Sequence, residues 1–202
     1  MSESQRDKAL RQTLKQAAGA YIGGDASALD PAWYDLAFDV WITDGGKEAA
    51  RQLLDKALPS QDSEFRLAAL NALAESGSTD IANWLLNDLR DARVRPSEQR
   101  LLLRGVITTG RTRDIGYRWL RAHLDELTHG TDGIFFSARL PQMLGGFCSL
   151  DRADEYTREL RPMFADKPGA LELERAIERV RNCDVLRAAR MLEVSEQVAR
   201  LK

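Results

Sequence analysis

Apolar residues recur three and four positions apart along nearly the whole chain, and no Val-, Ile- or Tyr-rich run alternates with period two for long enough to demand a strand. The pattern therefore predicts helices throughout. The first, over residues 4–22, gathers Ala9, Leu10, Leu14, Ala17, Ala18 and Tyr21 on one side and stops at Gly23-Gly24. In LDPAWYDLAFDVWITDGG, Asp30 is placed to cap a helix, Pro31 fits a first turn where a missing N–H costs nothing, and Gly45 ends the run. KEAARQLLDKALP is a short amphipathic helix stopped by Pro59. SEFRLAALNALAESG runs from about residue 63 to Gly77, and the next helix begins at a Ser78/Thr79 cap. SEQRLLLRGVITTG follows Pro96, RDIGYRWLRAHLDEL ends at Gly130, and FFSARLPQMLGGF leads to a helix capped by Ser149. A final stretch starts at Pro168. About ten helices result, with Gly, Pro, Ser or Asp at each turn.

Part of this pattern repeats. A shift of 34 residues lays Arg66-Leu67 on Arg100-Leu101, Leu73 on Ile107 and Asp80-Ile81 on Asp114-Ile115, and one further residue brings Trp84 onto Trp119. Two consecutive helix pairs match. Each pair in such a repeat buries its apolar face by stacking on the next, which predicts an all-α fold, a right-handed α-solenoid of antiparallel helix pairs of the HEAT/ARM kind. Residues 1–202 are read as a single helical-repeat domain. Trp84 and Trp119 become equivalent packing positions, expected in the core because Trp mostly contributes buried area.

Composition narrows the chemistry. The chain has 29 Lys and Arg against 31 Asp and Glu, a net charge of −2, so its overall charge gives no reason to expect nucleic acid or an anionic membrane as partner. No apolar stretch is long enough to span a bilayer, and MSESQRDKALRQ places charges where a signal peptide needs an apolar core. Cys148 and Cys183 are too few for a disulfide framework and read as buried thiols of a cytoplasmic protein. His123 and His129 are six residues apart, out of register for the i, i+4 pair of a zinc helix, and no Cys-x-x-Cys, G-x-S-x-G or phosphate loop occurs. No catalytic residue and no metal ligand is assigned, and no cofactor is expected in this chain.

One segment departs from neutrality. From Arg90 to Arg121 there are nine arginines and three acids, a local excess of six positive charges. Arg100 and Arg104 lie one helical turn apart and share a face. They are the candidate substrate-binding residues, since a guanidinium fork donates parallel hydrogen bonds to a carboxylate or phosphate. The plainer reading is a solvated outer face.

At GYRWLRAHLDEL the chain resembles the C-terminal helical domain of the aminopeptidase N / puromycin-sensitive aminopeptidase family of zinc exopeptidases, which carries A-W-x-[WF]-L-[KR]-x-N-[WF]-[DN]-x-L at this place. His123 stands where the family has Asn, Leu124 where it has an aromatic, and Leu186 or a neighbour replaces a late Trp. GGKEAARQLLDKAL, EFRLAALNALAES, LPQMLGGFCSLDRADEYTREL and ELERAIERVRNCDVLRAA extend the similarity over roughly residues 30–190. The resemblance implies a C-terminal lid domain whose zinc and catalytic motifs lie in another domain, absent from this sequence. It implies that the domain closes the substrate chamber, helps bind peptide and is inactive alone. Its partners would be the N-terminal and catalytic domains of the same polypeptide, and peptide substrate. The alternative is an independent HEAT-like scaffold, or a nucleic-acid-binding solenoid that uses the Arg90–Arg121 patch.

Overall fold

The computed structural model describes residues 3–89, 91–128 and 131–200, and every regular element among them is helical. The chain forms two compact units, Met1–Ala122 and His123–Lys202.

In unit 1 the helices are α1 (Glu3–Ile22), α2 (Tyr34–Ala57), α3 (Ser63–Glu75), α4 (Thr79–Asn87), α5 (Pro96–Thr108) and α6 (Arg113–Ala122). The sequence punctuation acts where expected. Asp30 accepts the Ala32 N–H and opens a short 3-10 turn over Pro31–Trp33 ahead of α2. Asp62 accepts from the N–H groups of Glu64 and Phe65 to cap α3, and Ser78 caps α4 by accepting from Ile81. The expected stop at Gly45 is a break inside α2: Gly46 has φ 61° and ψ −147°, a conformation that side chains with a Cβ rarely adopt. Tyr21, Tyr34, Phe38 and Phe65 form one aromatic cluster with ring centroids 5.1–6.2 Å apart, joining α1, α2 and α3. The Tyr34 hydroxyl donates to that of Tyr21 at 2.9 Å.

The two repeated helix pairs are adjacent. α3 packs on α5 and α4 on α6, the stacking implied by the 34-residue shift. At the α3–α5 crossing the backbones approach so closely that a Cβ on Gly105 would stand 2.5 Å from the Ala74 Cβ. Glycine is required there by space.

Unit 2 contains α7 (Leu124–Thr128), α8 (Thr131–Leu144), α9 (Leu150–Glu155), a π-helical turn over Tyr156–Leu160, α10 (Arg161–Phe164) and α11 (Ala170–Arg200). The expected single helix from 113 to 127 is instead two. α6 stops at Ala122, and the His123 carbonyl accepts the Leu127 N–H to start α7. α8, α9 and α10 all pack on α11, burying Leu140, Leu144, Ala153, Leu160, Phe164, Leu173, Ile177 and Val180.

Cys148 and Cys183 are not the buried thiols expected. They form a disulfide across 35 residues that ties the α8–α9 connection to α11, with Cys148 half-buried and Cys183 exposed. The ground for inferring a reducing compartment is thereby removed. Among the described residues no helix is long and apolar enough to cross a membrane.

Candidate functional site

The candidate arginines lie on α5, and the position of that helix is set from below by a buried cation. Arg66, on α3, is only 4% exposed. Its guanidinium grips the Glu98 carboxylate with two parallel hydrogen bonds, Nε to Oε1 at 2.6 Å and Nη2 to Oε2 at 2.7 Å. Nη2 also donates to the Arg93 carbonyl at 2.8 Å, and Nη1 donates to the carbonyls of Ala57 and Leu58. One side chain thus joins the end of α2, the loop before α5, and the first turn of α5. Glu98 Oε2 further accepts the Arg95 N–H at 2.8 Å, a donor that the start of a helix leaves without an intrahelical partner. The hydrogen bonds from Arg66 hold the Glu98 carboxyl below the usual carboxylate range, against the opposing effect of burial. The Arg66 guanidinium is stabilised in its charged form by the same bonds.

On this anchored helix Leu102, Leu103, Val106 and Ile107 face inward. Arg100 is half-buried and Arg104 is exposed. Neither has a side-chain hydrogen bond or ion pair with another described residue. Most of the remaining described arginines of the basic segment are otherwise engaged. Arg93 chelates Asp91, whose carboxyl its side chain and backbone N–H hold down to about 2. Arg113 donates to the carbonyls of Ile107 and Thr108, Arg118 to that of Asp114, and Arg121 lies over the Tyr117 ring at 6.0 Å. Arg111 is exposed. Arg90 and His129 fall outside the described residues. The basic segment is therefore less a continuous field than local contacts from which Arg100, Arg104 and Arg111 stand apart, and of these only Arg100 and Arg104 share a helix face.

The repeat gives this arrangement a meaning that sequence alone missed. Arg66 and Arg100 are equivalent positions, yet the first is a buried structural cation and the second has no described partner. The signal for the anchor was present as R-P-S-E, residues 95–98, where Pro opens a helix and Glu falls at its third position. What no local pattern shows is that the carboxylate also receives a guanidinium from 32 residues upstream.

Trp84 and Trp119 are both half-buried, which corrects their expected place in the core. The Arg51 guanidinium lies over the Trp84 ring, 5.8 Å from its centroid.

Among the described residues, no three His, Cys, Asp or Glu side chains converge as a metal-binding group. A family model described as the ERAP1-like C-terminal domain matches residues 2–182. No curated protein matches the chain.

Proposed function

The chain belongs to the family of ERAP1-like C-terminal domains, a C-terminal domain of M1 aminopeptidase-family proteins, and from that premise we propose that it closes the substrate chamber of a zinc aminopeptidase and helps to bind the peptide. Zinc and the catalytic groups would be supplied by another domain of the same polypeptide. The described residues of this chain do not fit the metal, and no chemical step is assigned to them.

The observation that carries the peptide-binding part is the Arg100–Arg104 pair, two guanidinium groups one turn apart on a rigidly seated helix with no described partner of their own. Peptides held by a free N-terminus at a distant zinc present a C-terminal carboxylate at their other end. Charge-assisted bonds from an Arg pair are suited to receive it. The test is binding of peptides of about ten residues with a free or an amidated C-terminus. The free form is expected to bind the wild-type chain more tightly, and Arg100→Ala with Arg104→Ala should bring the two forms level. In an aminopeptidase that carries the domain, the same double substitution should raise KM for free-carboxylate peptides and leave kcat unchanged, as loss of uniform binding does. Equal response of free and amidated peptides in wild type would remove the carboxylate role.

The nucleic-acid reading is weakened by the local engagement of Arg93, Arg113, Arg118 and Arg121. It requires binding that falls steeply with salt.

A further inference from the structure

Unit 1 holds a cleft that the Arg100–Arg104 reading does not use. The second half of α2, the end of α4 and the loop leading into α5 enclose about 220 Å³. Its floor is apolar, made by Leu54, Leu58, Leu85, Val94 and Leu102, and Trp84 forms a wall. The volume is below the roughly 300–1,000 Å³ typical of small-molecule pockets, and suits one long side chain.

The charges around the opening are unevenly matched. Asp91 is chelated by Arg93, which feels Asp55 only as a longer-range attraction. Arg51 and Asp55 are four residues apart on α2, a spacing at which opposite charges commonly pair. Arg51 lies over Trp84 instead. Asp55 and Asp88, both exposed, are left without an ion pair to any described residue. An apolar floor, an aromatic wall and two uncommitted carboxylates therefore surround one small cleft.

We propose that this cleft receives the basic side chain, lysine or arginine, of a bound polypeptide. The methylene stem would lie along the leucines and Trp84, where it loses contact with water, and the cationic head would reach Asp55 and Asp88. The chain's own Arg51 guanidinium already lies over the indole, so the incoming cationic head is directed to the carboxylates and not to the ring face. Arg93 is matched by Asp91, so an acidic side chain would meet two carboxylates against the single cation Arg51, and a neutral one would gain nothing from either carboxylate. The proposal rests on reading the domain as peptide-binding, and adds the side chain that the peptide presents.

The test uses the 202-residue chain and pentapeptides Ac-Ala-Ala-X-Ala-Ala-NH2, with X as lysine, arginine, norleucine or glutamate. Blocking both ends removes the carboxylate that Arg100 and Arg104 would bind, so failure here is separable from failure of that reading. Binding is followed at the Trp84 indole N–H in 1H–15N spectra, assigned through Trp84→Phe. The lysine or arginine peptide should shift that signal saturably, with norleucine and glutamate at least tenfold weaker. The better of the two basic peptides tells whether an ammonium or a guanidinium is preferred. Asp55→Asn with Asp88→Asn, both on exposed residues, should weaken binding at least tenfold. A norleucine or glutamate peptide that binds as well as the basic ones, no shift with any peptide, or full binding by the Asn variant would overturn the proposal.

Discussion

Loss of the Arg66 guanidinium would remove the bidentate partner of Glu98, leaving its Oε2 only the Arg95 N–H, and would take a donor from the carbonyls of Leu58 and Arg93 in a place that water reaches poorly. Arg66→Met is accordingly expected to destabilise by ~3–5 kcal/mol, the range for breaking one side of a buried ion pair, measured by urea unfolding. Arg66→Lys should recover little, because an ammonium cannot form the parallel pair with Glu98. The same contact makes a pH prediction. The folded-state pKa of Glu98 lies below its ordinary 4.5, so its stabilising contribution is complete above that value and is lost as pH falls through the depressed one. Glu98→Gln should flatten the acid limb of a stability–pH curve and lower the plateau near neutrality. Trp84 calls for a smaller number. A half-buried ring under a guanidinium should cost ~2 kcal/mol on Trp84→Ala, less than the ~3–5 kcal/mol of a fully buried aromatic. Denaturant unfolding of that variant checks the figure. At this scale the sequence was misleading, because a helical period marks which residues face inward but not how far the neighbouring element covers them.

Helices and their ends were the most legible part of the molecule. Asp30, Ser78 and Ser149 cap as expected because capping needs only a side-chain oxygen two or three residues before an N–H, a wholly local relation. The division between α6 and α7 was not legible, since RDIGYRWLRAHLDEL keeps a continuous helical period across it. Nor was the disulfide, which depends on the fold of unit 2 bringing together residues 35 apart. Closing a loop of that length should stabilise by ~3–4 kcal/mol on the chain-entropy account. Cys148→Ser with Cys183→Ser is expected to lose about that much, and the unfolded wild-type chain should show no free thiol until a reductant is added. Close contact between elements gives a further test. Gly105→Ala forces its new methyl against Ala74 and should destabilise by ~1–2 kcal/mol despite a better helix propensity. Ala74→Gly in the same chain should relieve the clash, which a double-mutant cycle would register as favourable coupling.

At the scale of the whole molecule, the family was readable because its phrases recur in order along the chain, and the matched region, residues 2–182, extends across both units. The candidate sites were readable only in part. Arg100 and Arg104 were conspicuous as charges, whereas the Trp84 cleft is assembled from α2, α4 and the loop before α5, and no one of these segments announces it. The isolated chain is expected to retain no stoichiometric zinc after dialysis and to turn over no aminoacyl chromogenic substrate; atomic absorption and a standard rate assay would show otherwise. Stacked repeats ordinarily exchange energy only with nearest neighbours and so tend to peel from a free end. Arg66 adds a rivet from α3 to the end of α2, the loop before α5, and α5 itself. Amide protons of α3 and α5 should therefore share a single opening free energy in native-state hydrogen exchange, and in Arg66→Met those two helices should separate into a graded series that frays turn by turn.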